Sequence, residues 1–395
     1  MESYDIKPYS EVAQFSDTPT DATYDVSIVA PVVGMDESFI RRVVGTSKKL
    51  SEHDVYTLIN QDAFSETFVP RSKVLTYLRQ YTAPSVPNGL MANRLYAGDA
   101  ISLIDQLDDK SIQCVVTSTP YWAMRIYDKF FVNTWADGDV CAFGLEQTPE
   151  AFIRHSVEIL YHLRSKITDS GSVWWNIMDS YNTRTQIRSN AVEALMAMKG
   201  KESRSWRDYQ YKRYSAGHAY LKDGEQCMIP QRIAERASRI GYYLKSTISW
   251  CKTASMPEPQ LSRVSRNVEY VLHLTVQRTP YFDKGSYLKL SPAIGGRQEF
   301  ESEKLSDFWH LPTSSGGDGH GAQFPLQLPG RCIALSSKKE DVILDPFIGS
   351  GTSAAAAIRL GRKYIGFDIS EEYLETAQKK IDAANIDQMS FLDLE

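Results

Sequence analysis

Cysteine is scarce in this 395-residue chain: Cys114, Cys141, Cys227, Cys251 and Cys332 are scattered, with no C-x-x-C pair. That spacing excludes a disulfide scaffold, a zinc ribbon and a dithiol redox motif, and it suits a reducing cytosol. The seven histidines form no H-E-x-x-H or comparable ligand pattern, so no metal is expected. Long apolar runs are missing too: nothing approaches the roughly 20 residues of a membrane span. The N-terminus "MESYDIKPYSEV" has neither the basic start nor the apolar core of a secretory signal, which points to the cytoplasm. Positive charge is not in excess, since the net charge is −5. A nucleic-acid partner would therefore need basic residues gathered locally. No internal repeat occurs at solenoid periods.

What is there is a globular composition, 42% hydrophobic and 24% charged, in a chain longer than one ordinary domain needs. Residues 1–90 read as a small helical accessory region, with Ser51 and Ser72 as helix caps and the proline-rich 81–93 stretch as linker. From residue 91 to 395 strands and helices alternate: "RLYAGDA", "IQCVVTS", "GSVWWNIMD", "DVILDPF" and "KYIGFDI" as strands, with helices such as "PEAFIRHSVEILYHLRSKI" between them. The alternation predicts an α/β fold, a doubly wound, mostly parallel, Rossmann-like sheet. "YYLKSTISWCK" and "NVEYVLHLTVQ" alternate polar and apolar residues more strictly, as an antiparallel edge strand does.

"DPFIGSGTSAAAA" sets Gly349, Gly351 and Ala354 in G-x-G-x-x-A spacing between a strand and a helix, and Asp368 ends the next strand. Glycines let a ligand approach the backbone, and an acid at that interval holds ribose hydroxyls. Only one helix and a short tail follow Asp368, so the remaining strands must come from earlier in the chain: the sheet is circularly permuted. Asp345 and Phe347 in the turn suit a cationic sulfonium and an adenine better than a pyrophosphate, which favours S-adenosylmethionine over NAD.

The strand "IQCVVTS" runs out into Thr119-Pro120-Tyr121-Trp122. Ligands of such sheets lie beyond the C-terminal strand ends. Short hydroxyls, a proline and two adjacent aromatic rings are not what a plain turn wants, and they suit a site built of flat surfaces and short hydrogen-bonding groups.

"TSTPYW" resembles the S-P-P-Y motif of DNA amino-methyltransferases, and "LDPFIGSGTSAAAAIRLGRKYIGFDIS" resembles their cofactor motif. The order, catalytic motif first, is that of the permuted β class of restriction–modification systems, and matching pieces run from about residue 93 to 384. The resemblance implies that Ser118, Thr119, Pro120 and Tyr121 form the catalytic motif. It also implies that Asp99, Phe324, Pro325, Asp345, Phe347, Gly349, Gly351 and Asp368 surround S-adenosylmethionine. Thr119 departs from the family's proline; its carbonyl survives, but it adds an N–H and frees φ.

Serine at the motif's first position, and Trp122 after Tyr121, favour cytosine N4 over adenine N6. Two rival readings stay open: N6-adenine methylation, and a catalytically weakened DNA-binding regulator. The resemblance further implies double-stranded DNA as substrate, a cognate restriction endonuclease as functional partner, and a location beside the nucleoid.

The stretch 181–226 interleaves Arg184, Arg188, Arg204, Arg207, Lys212 and Arg213 with aromatic residues, as a DNA-binding insertion would. Arg263 and Trp122 complete the expected DNA contacts. Residues 281–305 are a candidate target-recognition segment, and residues 1–90 could supply recognition surface or a homodimer interface.

Overall fold

Every residue from Ile112 to Thr117 is buried. A strand covered on both faces belongs inside a sheet with helices on either side. The computed structural model describes residues 19–81, 89–122, 131–146, 148–182, 221–222, 224–252, 261–313 and 324–392. They divide between two units, Met1–Ala83 with Arg239–Gly241, and Pro84–Ser238 with Tyr242–Glu395.

The first unit contains β1 (Thr23–Asp25), α1 (Val26–Val33), α2 (Glu37–Val44), β2 (Lys49–Ser51), α3 (Glu52–Ile59) and α4 (Val74–Gln80). Ser51 caps α3 in a full capping box with Asp54. Ser72 caps nothing; it lies inside a single 3-10 turn, Arg71–Lys73, that leads into α4. The antiparallel pair β1–β2 was not legible as strand. Buried Glu52 ties the unit together, accepting from Arg79 at 2.6 and 2.8 Å and from the Tyr24 hydroxyl at 2.8 Å.

The second unit holds β3 (Arg94–Ala97), α5 (Ala100–Ile104), β4 (Ile112–Ser118), the short β5 (Asn133–Thr134) and β6 (Val140–Cys141), α6 (Pro149–Arg164), β7 (Ile167–Ile177), α7 (Ile229–Arg239, whose last residue belongs to the first unit), β8 (Tyr243–Lys252) and β9 (Val268–Thr275). After these come α8 (Ser286–Lys289), β10 (Phe308–Leu311), α9 (Gln327–Ser336), β11 (Val342–Asp345), α10 (Thr352–Arg359), β12 (Lys363–Asp368) and α11 (Glu371–Leu392). The sheet order is β10-β8-β9-β7-β4-β11-β12-β3. β11, late in the chain, slots between β4 and β12, as the permuted reading requires.

One detail corrects the sequence reading. The antiparallel strand, β9, is not at the edge: β8 pairs with it and the parallel β10 pairs with β8 in turn. Its residues Val271–Thr275 are all buried, so the alternation at its start reflects one strand end and not an open edge. Cys114 and Val116 of β4, Trp174 of β7 and Trp250 of β8 share a core with Leu328 and Ile333 of α9 and Ala354–Ala357 of α10. The run of alanines lets α10 sit close against the sheet and α11.

Candidate active site

The C-terminal ends of β4, β7, β11 and β12 meet at one rim. Ser118 and Asn176 are direct partners across β4 and β7, and Thr117 stands beside Trp175. Side chains alternate along a strand, so consecutive residues of the motif face different neighbours.

Thr117 Oγ1 donates to Asp345 Oδ1 at 2.6 Å, tying β4 to the turn after β11. Asp345 also accepts from Ser353 Oγ (2.6 Å) and from the Phe347 amide (3.0 Å). Burial pushes its carboxyl up to about 6 against those hydrogen bonds. Asp345, expected to face a sulfonium, is instead a buried clamp: its oxygens are already engaged by three donors, and only 2% of its surface is exposed.

The glycines also separate. Gly349 has φ +50, and a Cβ there would meet nothing closer than 3.9 Å, so its outer side is an open cradle. A Cβ on Gly351 would lie 2.8 Å from Ala377 Cα, so contact between the start of α10 and α11 is what demands glycine there. Helix packing and a φ of +83 account for the glycine at 351 independently of the cofactor contact expected of it.

Asp368 Oδ2 accepts from the Gly349 amide at 3.1 Å and Oδ1 from the Ser370 amide at 2.9 Å; burial raises its carboxyl. Asp99, on the neighbouring strand end, caps α5 through Ser102 (3.0 Å) and accepts from Asn133 at 2.8 Å. Gly98 N–H to Asp368 C=O (3.0 Å) brings these two acids to one side of the turn. Phe347 stacks on Phe143 with centroids 5.5 Å apart and meets the Trp175 ring edge-on. Phe324 packs in the core with Ile348, and Pro325 begins the first turn of α9 by accepting from Leu328 N.

Ser118 Oγ donates to Tyr121 Oη at 3.4 Å and accepts from Asn176 Nδ2 at 3.3 Å. Tyr121 donates to Glu269 through a short hydrogen bond. Asn176 Nδ2 also reaches Tyr121 Oη (2.7 Å) and Glu269 Oε2 (3.0 Å), while Lys252 Nζ sits 2.9 Å from Glu269 Oε1. Asn176, Glu269 and Lys252 escaped the sequence reading. The available signal was a Glu in an otherwise apolar strand pattern, "NVEYVLHL".

Pro120 rests against Gly144, whose Cβ would come within 3.2 Å of it. Trp122 is corrected: it is 3% exposed and donates from Nε1 to the Glu146 carbonyl at 3.1 Å, so it braces the motif from behind and offers DNA no face. Behind Trp122, His155 of α6 is fully buried between Glu146 (Nδ1 to Oε1, 3.1 Å) and Asp137 (Nε2 to Oδ1, 3.3 Å), stacked on Trp135. Burial alone would lower this imidazole; hydrogen bonding with Asp137, Cys141 and Glu146 outweighs it and raises it to about 11. The ligand atoms of Cys141, Glu146 and His155 lie within 4.8 Å of one another, as do those of Asp137, Asp139 and His155. With carboxylates on both ring nitrogens, His155 joins Glu146 and Asp137 in one buried ion-pair clamp.

Of the buried polar atoms without a hydrogen-bond partner among the described residues, three stand at this rim: Thr119 Oγ1, Trp175 Nε1 and Asn176 Oδ1. All three belong to the last residues of β4 and β7 or the residue just beyond. Orphaned polar atoms at one strand rim, beside an open glycine cradle and two acids, fit a bound polar ligand with ribose hydroxyls. The expected S-adenosylmethionine matches these donors and acceptors.

Arg263 stacks on Tyr181 at 3.8 Å, with Arg266 at 5.1 Å on the same ring and bonded to the Asp179 carbonyl. Arg184, Arg188, Arg204, Arg207, Lys212 and Arg213 lie outside the described residues. Segment 281–305 folds around Arg331, which holds the Gly295 and Gly296 carbonyls and pairs with Glu301 at 2.7 and 2.8 Å.

Comparison with known proteins identifies the family. The DNA methylase family model matches residues 112–379, and the chain belongs to that family of N6/N4 amino-methyltransferases. It is similar to the type II methyltransferase M.Cfr9I of Citrobacter freundii, 30% identical over 302 residues, covering 75% of this chain and 90% of the relative. It is also similar to the type II methyltransferase M.SmaI of Serratia marcescens, 27% identical over 307 residues, covering 76% and 94%. Among solved structures it resembles the PvuII DNA methyltransferase described as cytosine-N4-specific, at 18% identity and a TM-score of 0.47, covering 74% of this chain and 91% of that one. The protein is a site-specific DNA amino-methyltransferase of the type II restriction–modification class. Among the described residues no helix is long and apolar enough to cross a membrane.

Proposed function

We propose that the protein methylates the exocyclic N4 amine of a cytosine flipped out of duplex DNA, within a short specific sequence that a partner restriction endonuclease cuts. S-adenosylmethionine, when bound, supplies an electrophilic sulfonium methyl group. The observation that carries this reading is the hydrogen-bond state of Ser118. Its proton is spent on Tyr121 and one lone pair on Asn176, which leaves one lone pair at the strand rim. Ser118 is thereby prepared to accept from an amine N–H.

The chain's other tasks follow from position. The Thr119 carbonyl takes the second N–H of the amine, so that the two acceptors turn the nitrogen lone pair toward the donor. The Tyr121 ring stacks on the extruded base and offsets part of the flipping cost, a few kcal/mol. Asp368 and Asp99 receive ribose and adenine-end groups, and the Gly349 cradle admits the cofactor backbone. Catalysis is then positioning and electrostatics, without a covalent enzyme intermediate. Arg263, with the basic residues of 181–226, neutralises phosphates.

The test is methyl transfer from labelled S-adenosylmethionine to mixed-sequence duplex DNA, followed by digestion to nucleosides and mass identification. N4-methylcytosine is the expected product. N6-methyladenine would overturn the base assignment and keep the chemistry. Label in no base would favour a weakened regulator, and Thr119→Pro would then be expected to restore activity.

A further inference from the structure

A hydroxyl that must accept from a substrate amine is useful only if its own proton points elsewhere. Ser118 has that proton on Tyr121 Oη, and Tyr121 has its proton on Glu269. A carboxylate accepts and cannot donate. Glu269 therefore fixes the direction of the whole chain, Ser118 to Tyr121 to Glu269. We propose that Glu269, on β9, is a positioning residue that sets this polarity and so makes Ser118 an acceptor toward the target amine. The inference rests on the methyltransfer reading given above.

The surroundings serve the same end. Lys252 Nζ donates to the second Glu269 oxygen at 2.9 Å, so both carboxylate oxygens act as acceptors in a site where only 7% of the residue is exposed. Asn176, fully buried, has two amide N–H bonds for three acceptors: Tyr121 Oη at 2.7 Å and Glu269 Oε2 at 3.0 Å are the nearer, and Ser118 Oγ at 3.3 Å shares one of those hydrogens. All three are acceptors toward it, which fixes the amide orientation. Tyr121 thus has two tasks that separate chemically: the ring is a stacking face, and the hydroxyl links Ser118 to Glu269.

Glu269→Gln keeps the shape and reverses the logic. An amide can donate to Tyr121 Oη, the phenol can then donate to Ser118, and the serine proton swings toward the amine it should accept from. The experiment measures kcat, KM for S-adenosylmethionine and KM for DNA in wild type, Glu269→Gln, Tyr121→Phe and the double variant. Glu269→Gln is expected to lower kcat about 10- to 100-fold, the scale of losing one oriented hydrogen bond at a reacting group, with KM for S-adenosylmethionine unchanged. In the Tyr121→Phe background, where the link is already cut, Glu269→Gln should have no further effect. Glu269→Gln with wild-type kcat, or losses that multiply independently in the double variant, would overturn the proposal. A wild-type protein that methylates no DNA would instead overturn the function on which it rests.

Discussion

Replacing His155 by Phe is the sharpest test of what holds the catalytic loop in place. Phenylalanine preserves the flat ring stacked on Trp135, whose centroid lies 4.0 Å away, and removes only the charge and the two ring nitrogens. Asp137 keeps Arg154 at 2.7 Å, so its charge stays compensated. Among the described residues Glu146 keeps only the Gly144 amide as a side-chain partner, and its Oε2 has none. The loss therefore falls on Glu146, a buried carboxylate left without its cation. Breaking a buried pair in this way costs about 3–5 kcal/mol, and the surviving Asp137–Arg154 pair puts the expectation near the lower end. The assay is urea denaturation by linear extrapolation, with Glu146→Gln added as a second change that removes the stranded charge and should recover part of the loss. The sign in pH is also fixed. With an ordinary value of 6.5 raised to about 11, the contribution is full below 6.5 and lost as pH rises through 11, so the variant should flatten the alkaline fall in stability. A cost below about 1 kcal/mol, with no recovery in the double variant, would show that His155 is not a charged clamp.

Thr119→Val removes a buried hydroxyl with no partner and should stabilise the free protein by about 1 kcal/mol; a thermal melt checks it, and lost cofactor affinity alongside would mean the hydroxyl serves a ligand. Gly351→Ala should destabilise through its φ of +83 and its clash with Ala377. Ala377→Gly should leave most of that loss because Cα at 2.8 Å and the carbonyl oxygen at 3.0 Å remain, whereas Gly349→Ala should chiefly raise KM for S-adenosylmethionine. His273, buried and stacked on Trp174, is lowered by burial to about 3. Its contribution is full above 6.5 and lost as pH falls toward 3, so His273→Gln should flatten the acid limb of a denaturation series.

How much of this was legible depends on how locally each feature is encoded. The glycine turn and the strand-end motif are short contiguous signals, and both stand at the rim where strand–helix alternation places ligands. Asp345 was misread because its neighbours Thr117 and Ser353 come from a distant strand and from the next helix; the letter D cannot say that three donors already surround it. Gly351 shows the same limit, since the residue that forbids a side chain there is Ala377 on α11. Trp122 counts among the DNA contacts on its letter alone, yet the chain turns after Tyr121 and sends the buried indole to the Glu146 carbonyl. Glu269 and Lys252 lie on β9 and β8, and only the pairing of β7 with β9 brings them to Ser118.

The closing letters of the motif can now be read one by one against the sheet. Thr117 and Ser118 are neighbours in sequence and face opposite ways, so under the proposed function one strand end serves both halves of the reaction. Thr117 locks the cofactor turn through Asp345, and Ser118 joins the polarity chain that ends on Glu269. Register enforces the division: a one-residue slip of β4 that carried Thr117 into the place of Ser118 would bring Val116 against Asp345, which would lose the Thr117 hydroxyl donor. Pro120 and Trp122 anchor the backbone on Gly144 and Glu146, which leaves Tyr121 between them as the ring to be presented. The family's usual proline at position 119 would reinforce the same backbone. Here that restraint is supplied by neighbours: Thr119 N–H donates to the Asn176 carbonyl across the strand end at 3.4 Å, and the brace behind Trp122 holds the following turn. Geometry that proline would impose through one fixed dihedral is imposed in this chain by contacts.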